Sequence, residues 1–503
     1  MNIAQNIERG RRIFPQKTAL LFEGEKFTYE QLDEQANRVA NGLQRLGIQK
    51  GDRVALYLPN IPQFVWAYFG IQKIGAVAVS INVMLKRDEV WYILNDSGSK
   101  GIITTSELRH HVPECDLVDL QWMWLTESSD SPGFMLEEMM ADSSDVFKSV
   151  EMEPTDPATI VYTSGTTGFP KGATLSHGNV VSNMHSQRYS CGMNSSDKLL
   201  LFLPLFHCFG QNAILNSGLN AGATIILQRR FQIEQIIRAI SQEGVTMFFG
   251  VPTVFAKLLE AQLPELNCGG VRYYFSAAAK LPVEIVRRWE ARFGLPIYQG
   301  YGLTETSPCA CYNHQWKYKT GSIGMPIDNV EMKVVDEKER EVPVGNFGEI
   351  IIRGPNVMLG YWNQPEATAK VLRNGWFHTG DIGYVDGDGD FYLVDRLKDM
   401  INVSGFKVYP SEIERIFYQH QAVAEVAVYG VSDEMKGEVV YANVRLVAGE
   451  SVTVDDLRVF CQEKMANYKI PQVIKLVTSL PKNATGKVLK TVLREEAMSR
   501  QNS

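Results

Sequence analysis

Apolar runs alternate with helical patterns over most of this chain. From Thr28, the segment Tyr29–Leu43 places apolar residues near i, i+3, i+7 and i+10, and Thr28 with Gln31 can form a capping box. That spacing predicts a surface helix, stopped by Gly47. After Lys50-Gly51-Asp52, the run Val54–Leu58 predicts a buried strand, Phe64–Ile74 a helix and Ala76–Ile81 a second strand, an order that implies a parallel crossover. Further strands are expected at Ala158–Tyr162, Leu199–Leu205, Val245–Val251, Tyr273–Ser276 and from Ile297 onward. Leu117–Lys148, acidic and irregular, reads as a surface excursion, and Phe209–Leu219 as a helix that is either plain core or an apolar pocket wall. Val330–Val335, Gly348–Arg353 and Phe391–Val394 lie between Gly, Asn and Asp turns and predict a β-rich portion.

At Asp395–Ile401 charge interrupts the β pattern, and the chain restarts as a short α+β unit. It has helices at Ser411–Tyr418 and Val454–Met465 and strands at Ala424–Val431 and Val439–Leu446. The expected fold is therefore α/β, with a large N-terminal domain of mixed sheets sandwiched by helices and a β-rich subdomain, joined by a hinge to a small α+β C-terminal domain. The expected division is 1–395 and 396–503, with the hinge at Arg396 to Lys398.

A length of 503 residues fits two to four cores, and 45% hydrophobic with 21% charged residues is a globular composition. A net charge of -7 gives no basic footprint for nucleic acid. No apolar run reaches membrane-spanning length, and residues 1–14 lack a signal-peptide core, so a cytoplasmic protein is expected. Seven scattered cysteines without a CxxC pair read as reduced thiols, and Cys309-x-Cys311 as strand alternation. Asp386-x-Asp388-x-Asp390 is no calcium loop, because Phe391 and Leu397 stand where Gly and Glu are needed; it reads as a hairpin turn.

The stretch Thr163-Ser164-Gly165-Thr166-Thr167-Gly168-Phe169-Pro170-Lys171-Gly172 follows a predicted strand and precedes a segment opening at Ser176 that can be helical. Its hydroxyls, glycines and lysine supply donors on a backbone free to fold around an anion. The Walker A spacing is absent. This string closely resembles the signature loop of the adenylate-forming superfamily, which holds acyl-CoA synthetases, luciferases and peptide-synthetase adenylation domains. The resemblance continues in the family's order with the Tyr273–Ser276 strand and its turn, Tyr301-Gly302-Leu303-Thr304-Glu305, Arg353-Gly354-Pro355 with Gly360-Tyr361-Trp362, Trp376–Asp381, Asp395-Arg396-Leu397-Lys398 and Pro481–Lys487. It is nearest to fatty acyl-CoA synthetases.

The resemblance implies ATP, Mg²⁺ and CoA, or the phosphopantetheine of an acyl carrier protein, as ligands. Ser164, Gly165, Thr166, Thr167, Gly168 and Lys171, with Thr163, would cradle phosphate. Ala278 and Ala279 would pack on adenine, in a turn where the family often has Gly and Pro but this chain has Ala277 and Lys280. Gly300, Tyr301, Gly302 and Thr304 would border the nucleotide, Asp381 and Arg396 would hold the ribose, and Lys398 would be the pivot. Gly405 lies in Val403–Lys407, a segment similar to the family's thiol channel, although Asn402 replaces a lysine common in plant aryl-CoA ligases. Thr163 and Glu305 would hold Mg²⁺, His207 would line the acyl tunnel, and Lys487 would be the mobile catalytic lysine.

In amino-acid-activating relatives an Asp follows the position of His207; here it is Cys208, which cannot compensate a buried ammonium. The expected reaction is activation of a medium- or long-chain fatty acid as acyl-AMP, then transfer to a thiol. Loading of an acyl carrier protein is the alternative acceptor. A luciferase-like oxygenase, an aryl-CoA ligase and a non-catalytic nucleotide binder compete less well. The partners expected are a small carboxylic acid and, in the alternative, a carrier protein, with monomer and homodimer both open.

Overall fold

The computed structural model describes residues 1–127, 134–163, 170–261, 270–404, 406–433, 435–483 and 486–501. Among the described residues the strands form four sheets. The largest has a parallel centre, in which Lys198–Leu201, Met247–Gly250, Tyr273–Ser276 and Ile297–Gly302 lie side by side. The second contains Arg53–Tyr57 and Val77–Ser80, paired in parallel as the strand–helix–strand order requires, and the antiparallel hairpin Pro157–Thr163 with Lys171–Ser176. One hydrophobic core runs through both sheets. Helix Pro62–Lys73 is buried on nearly every side, so its sequence is apolar all round; Lys73 at its end is neutralised by Asp33 at 2.8 Å and Glu8 at 2.9 Å.

Helix Tyr29–Arg45 begins with the predicted box: Thr28 Oγ1 accepts from the Gln31 amide, and Gln31 Oε1 accepts from the Thr28 amide. The third sheet holds Glu331–Val335, Gly348–Arg353, Trp376–Val385 and Phe391–Arg396. Its Asp386–Asp390 turn is a hairpin, and the cations facing the carboxylates are side chains: Lys319 lies 2.8 Å from Asp388, and Lys317 3.0 Å from Asp390. Cys309 and Cys311 alternate in strand Cys309–Tyr312, both buried as free thiols.

Beyond the short helix Leu397–Asp399, a fourth sheet built on Val423–Asp433 and Gly437–Leu446 packs with helices Pro410–Phe417 and Val454–Gln462 around a core of its own. Among the described residues no helix is long and apolar enough to cross a membrane.

Three expectations need correction. The 117–148 stretch is not merely irregular: Trp122–Thr126 pairs in parallel with Ser99–Thr105 and buries Trp124 and Leu125, and Leu136–Ala141 is helical. Its acidic flanks mask a short strand. The helix expected to open at Ser176 is present, His177–Ser190 with Ser176 as its cap, and the strand Lys171–Ser176 leads into it. The strand expected to run to Leu205 stops at Leu201, so His207 lies in the following loop. Phe209–Asn216 is a π-helix, wholly buried, a wider coil that hydropathy cannot distinguish from an α-helix.

Candidate active site

The parallel strands of the largest sheet all end on one edge, the side on which open α/β sheets gather their ligand-binding connections. Leu201 leads to His207, Gly250 to Val251–Thr253, Ser276 to Ala277–Ala279, and Gly302 to Thr304 and Glu305. The Thr163–Lys171 connection belongs to the other sheet; Thr163 pairs with Lys171, and its hydroxyl donates to the Lys171 carbonyl at 3.4 Å. Ser164, Gly165, Thr166, Thr167, Gly168 and Gly405, with the side chain of Lys398, lie outside the described residues.

Two clusters are assembled at this edge. In the first, Asp381 is 2% exposed, accepts from the Tyr301 hydroxyl at 2.7 Å and faces Arg396 Nε at 3.0 Å. Strand register explains the pair, since Asp381 lies opposite Arg396 on antiparallel strands. Asp381 holds the Arg396 guanidinium above its ordinary range, and burial, with Asp381 beside it, keeps the Tyr301 phenol protonated. Among the described residues each Asp381 oxygen meets one of these two donors and so retains a lone pair for an outside donor such as a ribose hydroxyl.

In the second, Glu305, 8% exposed, accepts at Oε1 from the Tyr361 hydroxyl at 2.8 Å. The Lys171 ammonium lies 5.2 Å from the centre of the Tyr361 ring. Burial, reinforced by Glu305, raises the Tyr361 phenol, so it stays a donor. The Gly360-Tyr361 strand pairs with the strand leaving the loop, Tyr361 opposite Ala173, and the Met358 amide donates to the Glu305 carbonyl at 2.8 Å. The motif Gly360-Tyr361-Trp362 was legible in the sequence, but nothing there assigned Tyr361 a task.

Gly300 and Gly302 serve the protein's own packing: a Cβ at Gly302 would lie 1.8 Å from the Pro308 carbonyl, and one at Gly300 2.3 Å from Phe275. Ala278 adopts φ +69°, a strained geometry for a side chain with a Cβ, in the turn expected to face adenine. Lys280, which no sequence argument assigned, reaches from that turn to the Val394 carbonyl at 3.4 Å and Ser411 Oγ at 3.3 Å, joining the turn to the start of helix Pro410–Phe417.

His207 is half-buried, its Nδ1 accepts from the Phe209 amide at 3.2 Å, and desolvation pushes its pKa down to about 4. Cys208 is fully buried, its thiol pushed up to about 12 by burial, and lies 3.5 Å from Thr304 Oγ1. It is a neutral wall and not a nucleophile. His177, buried at a helix start, is also lowered to about 4 by desolvation. Both histidines bind protons more readily unfolded, so folding stability should fall as pH drops from about 6.5 to about 4. His207→Gln should flatten that loss by up to about 1.4 kcal/mol per pH unit within the window, measured by denaturant titration at each pH. An unchanged slope would contradict a neutral His207.

Lys487 is exposed, in a loop closed by its own amide donating to Asn483 Oδ1 at 2.9 Å. The loop docks on the large domain: a Cβ on Gly486, at φ +80°, would come 3.0 Å from Thr253 Oγ1 and 3.2 Å from Val251. That places it on the edge that carries the other clusters.

A model of the AMP-binding enzyme family matches residues 7–362, and one of the AMP-binding enzyme C-terminal domain matches 412–487. The chain belongs to the AMP-binding enzyme family. The long-chain-fatty-acid–CoA ligase of Bacillus subtilis (strain 168) is 35% identical over 518 residues, covering 96% of this chain and 92% of that one. The feruloyl-CoA synthase of an Amycolatopsis species is 35% identical over 489 residues, 97% of each chain. ATP-bound MatB from Rhodopseudomonas palustris superposes with a TM-score of 0.92 at 31% identity, covering 99% of each chain. This AMP-binding enzyme is an acid–thiol ligase of the AMP-forming type, with adenylate-forming acyl-CoA ligase activity, in a family that uses ATP and CoA.

Proposed function

We propose that this AMP-binding enzyme activates a medium- or long-chain fatty acid as acyl-AMP and transfers the acyl group to CoA. The observation that carries the substrate class is Cys208, buried and uncharged beside the wholly buried π-helix Phe209–Asn216. An ammonium or second carboxylate there would be desolvated without a partner, whereas an apolar tail would not. Similarity to the long-chain-fatty-acid–CoA ligase supports the same reading.

The mechanism follows from charge. A carboxylic acid is already ionised near neutral pH and needs no general base to attack the α-phosphorus of ATP. The barrier is the approach of one anion to another, so the chain's task is to position and neutralise. Lys171 and the Thr163–Lys171 loop would bind the phosphates, and Asp381 and Arg396 would fix the ribose. Ala278 and Ala279 would pack on adenine; His207, neutral above pH 4, would border the acyl group. Glu305, with one oxygen held by Tyr361 and the other left for a cation, fits the Mg²⁺ habit of taking one or two carboxylates plus phosphate oxygens; Thr163 could add a hydroxyl. When bound, Mg²⁺ would neutralise phosphate charge. Lys487 would stabilise the charge developing at the α-phosphate as the bond to the β-phosphate breaks and pyrophosphate leaves. The acyl-AMP anhydride bond then breaks as the CoA thiolate attacks the carbonyl carbon and AMP leaves. That half requires Lys487 to withdraw, and we assign the pivot to Arg396–Lys398, between domains 1–395 and 396–503.

A specific observation favours a second reading, a hydroxylated aromatic acid. Gln211 Oε1, Asn212 Nδ2 and Asn216 Oδ1 on the π-helix are buried without a hydrogen-bond partner among the described residues, and a polar group on the acid could satisfy one of them. Pyrophosphate release over straight-chain, branched, hydroxylated aromatic and amino acids separates the readings. Fatty acids should lead; a preference for amino acids, or no release with any acid, would reject the assignment.

A further inference from the structure

Lys171 and Glu305 carry opposite charges and border the same ring, yet no ion pair joins them among the described residues. The ring is Tyr361. Its face takes the ammonium, and its hydroxyl is the one hydrogen-bond donor to the Glu305 carboxylate among the described residues. We propose that Tyr361 is a positioning residue that acts as a neutral spacer, keeping Lys171 and Glu305 from quenching each other so that the ammonium remains available to phosphate and the carboxylate to a divalent cation. The inference rests on the site reading above.

The backbone is built to hold this ring in place. Gly360-Tyr361 pairs antiparallel with Ala173 and Thr174, the Trp362 amide donates to the Gly172 carbonyl at 2.7 Å, and the Leu359 amide to the Thr174 carbonyl at 2.9 Å. The Tyr361 amide donates to Thr368 Oγ1 at 2.9 Å. On the other side, the Met358 amide anchors the Glu305 carbonyl. The segment that carries Tyr361 is thus tied by its main chain to Gly172, next to Lys171, and to Glu305. Tyrosine suits the position because one side chain offers a π face to a cation and a donor to an anion. Leucine offers neither, and glutamine offers no cation-binding face.

The test uses the full-length enzyme, with Mn²⁺ as the spectroscopic probe and ATP as the nucleotide. Tyr361→Phe keeps the ring under Lys171 and removes the donor to Glu305, so Mn²⁺ affinity in the ATP complex should weaken about 10-fold, the low end for loss of a group that orients a metal ligand. Metal-free ATP binding should change little. Tyr361→Leu should weaken metal-free ATP binding as well, because Lys171 is then drawn to Glu305. Adding Glu305→Gln to Tyr361→Leu should restore ATP binding by more than the same change gains with Tyr361 intact, a rescue that loss of packing alone would not produce. Unchanged Mn²⁺ affinity in Tyr361→Phe, or no excess rescue in the double variant, overturns the spacer. If Tyr361→Leu does not fold, the Phe variant decides alone. Failure of the unmutated enzyme to bind Mn²⁺ with ATP would reject the site reading itself, which keeps the two failures distinct.

Discussion

Lys487→Ala lowers acid-dependent pyrophosphate exchange by about 10²–10³-fold while ATP still binds, the cost of removing one preorganised charge from a developing transition state. The geometry explains the asymmetry. The residues expected to hold nucleotide, Tyr301, Asp381, Lys171 and Glu305, lie on the large domain, whereas Lys487 arrives on a loop of the small one that touches Val251 and Thr253 through Gly486. The contacts that hold Asp381 and Glu305 come from Tyr301, Arg396 and Tyr361, so those two clusters survive loss of the Lys487 side chain. Transfer from preformed acyl-AMP to CoA should be spared, because in the proposed mechanism Lys487 withdraws for that half-reaction. Exchange at the unmutated rate, or loss of ATP binding and both half-reactions together, would contradict the role.

Asp381→Ala should have the second largest effect, acting on both binding and stability. The carboxylate is 3% exposed and serves two donors, the Tyr301 hydroxyl at 2.7 Å and Arg396 Nε at 3.0 Å. Truncation leaves a buried hydroxyl and a guanidinium without their acceptor; because the Arg396 side chain is 37% exposed, water recovers part of the loss. We expect about 1–3 kcal/mol of lost stability by denaturant titration, and ATP affinity at least about 10-fold weaker, since the ribose loses its acceptor while Arg396 loses its tether. Asp381→Asn should recover most of the stability and less of the affinity, because an amide oxygen cannot serve both donors and a diol. Unaltered ATP affinity in the Ala variant would remove Asp381 from the nucleotide site.

How far these residues could be read in advance depended on what each rule measures. The capping box at Thr28, the parallel pair around helix Pro62–Lys73 and strand Tyr273–Ser276 were legible because local hydrogen bonding and hydrophobic period determine them. Strand Trp122–Thr126 was missed because it is five residues long and lies next to acidic loops; its pairing with Ser99–Thr105 gives it its structure. The π-helix at Phe209 was invisible for another reason: complete burial erases periodicity, leaving only backbone geometry to separate one coil from another.

The site divides in the same way. The motifs from Thr163 through Glu305 and Asp381 to Lys487 resemble those of the adenylate-forming superfamily in the family's order, and that resemblance identified the family that the whole-chain comparisons show; taken singly, Glu305 and Lys487 read as ordinary surface charges. The tertiary structure alone decided which groups meet: Tyr361 between Lys171 and Glu305, Lys280 bridging the Ala277–Ala279 turn to Ser411, and the Lys487 loop against Thr253. Those partners are far apart along the chain. Sheet register and domain docking bring them together, and neither leaves a mark on the local pattern of residues.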